Sequence, residues 1–233
     1  MCNFPNIHYV DNFQPLNNPL NNNLGLPKGP RAMYTLLVNK GFVPANSLDV
    51  FNVNMAQLEE TINQVICHYG ATDTELKYIF CLIHIWGGNT GRRVFIMNPD
   101  PNMTNIIIHY RTFVNTCLAI KTPIDDTLEA GLETAHNSTI TIYNSLMALH
   151  SAVQGLGPSF LTKHARFWLK KNNPRNPLPI YDRTFANHIM GHGPHCSAQF
   201  NDIIPFWNGM INKAQMENVS LLSLERQLFN LWN

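Results

Sequence analysis

The chain has 233 residues, 45% of them hydrophobic and 13% charged, with a formal net charge of +1. That apolar content can build a sizeable core, and so little charge excludes a disordered, self-repelling chain. No apolar run is long enough to span a bilayer, and the start MCNFPNIHYV lacks the basic and apolar stretches of a secretory signal.

The first 32 residues are rich in Asn and Pro and show no periodicity, so an extended N-terminal arm is expected over 1–45, ahead of a helical body over 46–233. Met55, Leu58, Ile62, Val65 and Ile66 recur at helical spacing and predict a helix over about 54–69, with Ser47 or Asp49 as its cap. Thr72 or Asp73 caps the next, at about 74–86, which stops at the Trp86-Gly87-Gly88 turn. Residues 89–97 restart after Gly91. The run 103–121 mixes strand-like Ile106, Ile107, Ile108 and Val114 with a helical length, and its helical surroundings favour a helix. Asp125 or Asp126 opens a short helix, and Ser138 or Thr139 opens another at about 139–153. Helices at 159–171, Asp182 to about Met190, 198–213 and 220–232 complete an all-α reading.

Five cysteines (Cys2, Cys67, Cys81, Cys117, Cys196) are scattered and form no CxxC pair, so neither a disulfide framework nor a zinc ribbon is indicated and a reduced, cytoplasmic protein is expected. The spacing His188-x3-His192-x2-His195-Cys196 suggests metal ligands, but two of its members fall on a loop broken by glycine and proline; no metal and no cofactor are expected.

The segment 153–190 carries the chemistry. A glycine turn, Gly155-Leu156-Gly157-Pro158-Ser159, leads into a helix, and glycine permits backbone amides to turn outward there. The helix start then offers unpaired N–H groups and a positive dipole end to a phosphate. Lys163 follows on that helix. A proline-rich loop, PRNPLPIYD, then delivers Asp182 to a new helix start, where a simple N-cap is the plain alternative to a catalytic role. Six cations (Lys163, Arg166, Lys170, Lys171, Arg175, Arg183) face one acid, Asp182, between 163 and 183, a local concentration suited to phosphate contact. An amine of depressed pKa can attack C1′ of a sugar, and a carboxylate beneath the ring stabilises the positive charge that develops when a glycosidic bond breaks.

Lys163-His164-Ala165 after a glycine turn, with Asp182 downstream, resembles the helix-hairpin-helix DNA glycosylases. Gly155-Leu156-Gly157-Pro158, Phe160, Thr162-Lys163, Phe167, Asp182, the Glu225–Phe229 run and the Trp86-Gly87-Gly88 turn are similar to a bacterial branch related to 8-oxoguanine DNA glycosylases. One departure is plain: that family places its lysine two residues after the last hairpin glycine, and here Lys163 lies six after Gly157. The resemblance implies a two-lobed all-α fold with a central cleft, a monomer, and double-stranded DNA with a damaged or modified base as partner, at the bacterial nucleoid. It implies base excision with Asp182 and Lys163 as catalytic residues, either the lysine or a water being the nucleophile. The excised base would be an oxidised purine or, in antiviral defence, a hypermodified phage base. Gly155, Gly157, Ser159, Arg166, Lys170, Lys171, Arg92 and Arg93 would contact DNA, and Phe206, Trp207 and Trp86 would form the base pocket. A non-catalytic helix-hairpin-helix DNA-binding module is the alternative.

Overall fold

A computed structural model describes residues 2–7, 9, 25–120, 132–193 and 196–232, with side chains of 132–134 left out. The elements are α1 (Lys28–Asn39), α2 (Met55–Cys67), α3 (Asp73–Gly87), a 3-10 turn (Asn89–Arg92), α4 (Arg93–Met97), α5 (Thr104–Ala119), α6 (Leu132–Ala152), α7 (Pro158–Lys170), α8 (Arg183–His188), a second 3-10 turn (Phe200–Asp202), α9 (Ile203–Glu217) and α10 (Leu221–Trp232). Among the described residues there is no strand, so the fold is all-α. None of their helices is long and apolar enough to cross a membrane.

The expected arm to residue 45 is corrected at α1. Lys28–Asn39 is helical, and Met33 and Leu37 are fully buried where the helix packs on α3. Pro27 and Pro30 do not break this helix, because they sit at the cap and in the first turn, where a missing N–H costs a helix nothing. The cap of α2 also moves. Asn54, rather than Ser47 or Asp49, accepts from the Gln57 amide while Gln57 Oε1 accepts from the Asn54 amide, both at 2.9 Å. Asp49 instead closes a turn on Phe51 and Asn52. Thr72 caps α3 with the same reciprocal pair to Glu75.

The ambiguous run 103–121 resolves as α5. Its buried residues Ile106, Ile107, Tyr110, Phe113, Val114 and Cys117 repeat at three- and four-residue steps, which only a helix places on one face. The short helix expected from Asp125 or Asp126 lies outside the described residues. α6 begins before Ser138, which is buried within it.

α7 organises the rest. It packs against α2, α3, α5 and α6, and every residue from Phe160 to Leu169 is buried. Charged and polar side chains on such a helix must find partners inside the protein, and those partners build the site.

Candidate active site

A cavity of about 480 Å³ opens between α2, the C-terminal end of α3, α7 and α10. Its wall includes Lys163, Arg166, Lys170, Asp182, Trp86 and Glu225. The first three recur at three- and four-residue steps along one face of α7.

Two hydrogen bonds bring Lys163 and Asp182 to the same cavity. Thr162 Oγ1, on α7, accepts from the Tyr181 amide at 3.0 Å. Glu225 Oε1, on α10, accepts from the Ile180 amide at 2.6 Å. The proline-rich loop is fastened further at its start, where Leu221 N donates to Asn176 Oδ1 and Leu222 N to the Arg175 carbonyl. Trp207 Nε1 donates to the Pro179 carbonyl at 2.8 Å. Prolines narrow the loop's freedom, and these bonds select one path for it. Asp182 then caps α8, and both capping bonds, from the Thr184 and Phe185 amides, fall on Oδ1. The second carboxylate oxygen is not used by the cap.

Lys163 is 8% exposed. Its amine donates to Ser159 Oγ at 2.6 Å and lies 5.0 Å from the centre of the Phe160 ring. Burial lowers its pKa, while the negative charges of Asp182 and Glu225 push back part of that shift. The six-residue gap between Gly157 and Lys163 has a simple geometric meaning. Gly157 caps α7 and Pro158 is its first residue, so Lys163 stands in the second turn, and its side chain runs back toward the helix start.

The two glycine motifs interlock. A Cβ on Gly87 would stand 2.5 Å from Phe160 Cε1, and one on Gly91 would meet the same atom at 2.5 Å and His84 Nδ1 at 2.6 Å. Phe160, three residues before Lys163, therefore plugs into the turn after Trp86. Gly155 (φ +89°) in return lies against the backbone of Arg93 and Val94, where a Cβ would approach to 2.9 Å. Arg92 and Arg93 are exposed beside this turn, and Gly157 faces open space. Pro158 has no N–H, and the Phe160 and Leu161 amides bond the Gly157 carbonyl. That leaves the Ser159 amide as the uncommitted donor of this first turn among the described residues.

Behind Lys163 lies a buried aromatic and imidazole cluster. His84 stacks on Phe160 at 4.6 Å and lies 5.2 Å from His164. Trp168 Nε1 donates to Tyr110 Oη at 2.6 Å, and a 2.8 Å hydrogen bond joins that hydroxyl to Nδ1 of the buried His164. Burial, reinforced by the charge of Lys163, lowers its pKa to about 3.

Several expected contacts are corrected. Arg166 is 3% exposed and cannot grip a phosphate. Its Nε pairs with Glu225 at 2.9 Å and its Nη1 with Glu59 at 3.3 Å. Glu59 also meets Lys170 at 3.4 Å and Arg226 at 3.8 Å. Burial alone would raise the Glu59 pKa, but these three cations outweigh it and hold the carboxyl below its ordinary range. Lys170 thus faces the cavity wall rather than an outer surface, while Lys171 is exposed. Phe206 and Trp207 are fully buried core residues and do not line this cavity. Trp86 does line the cavity, set edge-on to Phe167. Phe185, Phe229 and Met55 share the cavity wall, and no local motif in the sequence marks them as pocket residues. Glu225, in the C-terminal run, holds both Arg166 and the loop that carries Asp182.

The histidine run does not converge. His192 Nε2 lies 2.7 Å from Asp202, His188 stacks flat on Trp232 at 4.6 Å, and His195 lies outside the described residues. Among the described residues no three His, Cys, Asp or Glu side chains are grouped to hold a metal.

No protein-family model, curated protein or solved structure matches this chain.

Proposed function

We propose that this protein is a DNA glycosylase of the helix-hairpin-helix type, two-lobed about its cavity, that extrudes one nucleotide and cleaves the bond between its sugar and a damaged or modified base. The observation that carries this reading is the meeting of Lys163 and Asp182, 19 residues apart in the chain, in one cavity beside the glycine turn. Extrusion places a base in a pocket that stacked duplex DNA cannot reach. The cavity, at about 480 Å³, has room for one.

In this reading Asp182 stabilises the positive charge on the sugar as the glycosidic bond breaks. Lys163, its pKa lowered by burial, attacks C1′ as the neutral amine; the base departs with the bonding electrons and takes up a proton. A water poised by Asp182 could replace the amine, giving base release without a covalent intermediate. The Ser159 amide, Gly157 and the exposed Arg92 and Arg93 supply the phosphate grip, with Lys171 adding charge. Trp86 offers an aromatic wall to the extruded base.

A panel of duplexes bearing oxidised, alkylated, deaminated and glycosylated bases, scored for base release, tests the proposal. Release from at least one, lost in Asp182→Asn, is the expected result. Salt-dependent duplex binding with no release from any member would mark a non-catalytic DNA-binding module instead.

A further inference from the structure

The amine of Lys163 has two carboxylates in its surroundings, Asp182 and Glu225, yet among the described residues neither lies within ion-pair distance of it. Its hydrogen bond goes to a neutral hydroxyl, Ser159 Oγ, at 2.6 Å, one helical turn earlier on α7. The other neighbours leave it no competing charge. Phe160 presents its ring at 5.0 Å, and that ring is wedged against Gly87, Gly91 and His84 and so cannot turn aside. His84 and His164, the titratable groups behind it, are buried imidazoles whose pKa values burial depresses, so they are neutral near pH 7.

We propose that Ser159 is a positioning residue for Lys163: its hydroxyl holds the amine over Phe160 on the cavity side, through a bond that is stronger to the ammonium but that the neutral amine still makes. A carboxylate in that place would fix the group as an ammonium and consume the lone pair needed for attack. A hydroxyl satisfies one N–H and leaves the lone pair free. The hydroxyl's own proton stays available for a second acceptor, and Ser159 is also the residue whose amide is uncommitted at the helix start. A phosphate bound there would therefore touch the same residue that aims the amine. The inference on the amine needs no DNA; its meaning for catalysis rests on the glycosylase reading above.

The test reads Lys163 directly, by labelling amines with trace acetic anhydride across a pH series and quantifying the Lys163 peptide by mass spectrometry. Ser159→Ala removes a hydrogen bond to the ammonium and should lower the Lys163 midpoint by about one pH unit. Ser159→Thr, which keeps the hydroxyl, should restore it. A midpoint in Ser159→Ala that stays at the wild-type value, or rises, overturns the proposal. A second readout is borohydride trapping on an abasic-site duplex, with enzyme in excess and at a pH above both midpoints. There Ser159→Ala should slow trapping about tenfold or more through lost orientation, and Ser159→Thr should recover it; wild-type trapping matched by Ser159→Ala also overturns the proposal. Should the wild type neither trap nor release any base, the glycosylase reading fails, and the amine titration still decides the role of Ser159.

Discussion

Thr162 and Tyr181 are joined by a hydrogen bond from the Tyr181 amide to Thr162 Oγ1, and each immediately precedes a residue of the candidate active site. This bond sets Lys163 and Asp182 in register across the helix and the loop that separate them. Removing the acceptor leaves a buried amide unpaired. Thr162→Val should therefore destabilise the fold by about 1–3 kcal/mol in denaturant melts. On the glycosylase reading it should also lower single-turnover base release more than it weakens duplex binding, because the carboxylate is displaced while the proposed DNA surface is kept. Thr162→Ser retains the oxygen and should recover most of both.

The interlocked turns predict a graded glycine series. Gly91→Ala and Gly87→Ala drive a methyl into the Phe160 ring, and Gly91→Ala also into His84. Phe160 is stacked on buried His84, so it cannot retreat freely. Overpacking of this kind costs about 1–3 kcal/mol. Gly155→Ala combines a positive φ with a 2.9 Å approach to the Arg93–Val94 backbone and should be the most damaging of the set. Gly157→Ala meets nothing within 4 Å and should leave the thermal midpoint almost unchanged.

His84 and His164 make stability depend on pH in a definite direction. Burial is the main cause for both: it lowers His164 to about 3 and His84 well below its ordinary 6.5. The unfolded chain therefore binds protons near pH 6.5 that the folded chain refuses. The stability these groups contribute is fully present above that pH and is lost as pH falls below it, at about 1.4 kcal/mol per pH unit for each histidine. Urea melts at pH 7.5 and 5.5 should show the loss, and His164→Phe should reduce the pH dependence. A flat profile between those pH values would mean the imidazoles are not held neutral.

Much of the fold was legible because helices announce themselves through period and caps. The Thr72–Glu75 box and the buried stripes of α2 and α3 needed no tertiary information. Arg166 shows where that legibility ends. Its charge is visible in the sequence, but its direction is set by Glu59, 107 residues away, and Glu225, 59 away. A count of cations in a window cannot separate those that face water from those that tie the core. The same holds for Phe206 and Trp207, apolar residues on a late helix that serve a core or a pocket equally well on paper. The Lys163–Asp182 pair was legible because its flanking motifs, glycine turn and proline loop, carry their own backbone chemistry. The Glu225 bond that fastens the loop was not, since nothing local marks a glutamate as a loop anchor.

The corrected place of Arg166 yields a prediction opposite to that for Lys171. Arg166→Ala takes the ion-pair partner from buried Glu225 and one of three cations from Glu59, and should cost about 3–5 kcal/mol, visible as a large fall in the denaturation midpoint. At a temperature where the variant is still folded, the slope of log K for duplex binding against log salt should be unchanged. Lys171 is exposed, and on the proposed DNA surface Lys171→Ala should reduce that slope by about one while leaving the melt within about 0.5 kcal/mol of wild type. Titrations at several salt concentrations, paired with melts of both variants, separate the two roles.

Asp182 carries two readings, cap and catalyst, and one substitution divides them. Asn caps helices about as well as Asp, so Asp182→Asn can keep the bonds to the Thr184 and Phe185 amides and should change stability by less than about 1 kcal/mol. What it loses is negative charge beside Lys163. Without that charge the cationic sugar is no longer stabilised, and base release should fall at least about a hundredfold. The amine also loses a neighbour that raised its pKa, so the Lys163 midpoint should drop. A variant that melts like wild type, binds duplex like wild type and releases no base assigns the chemistry to Asp182. Were it to release base at the wild-type rate, the carboxylate would be a helix cap and nothing more.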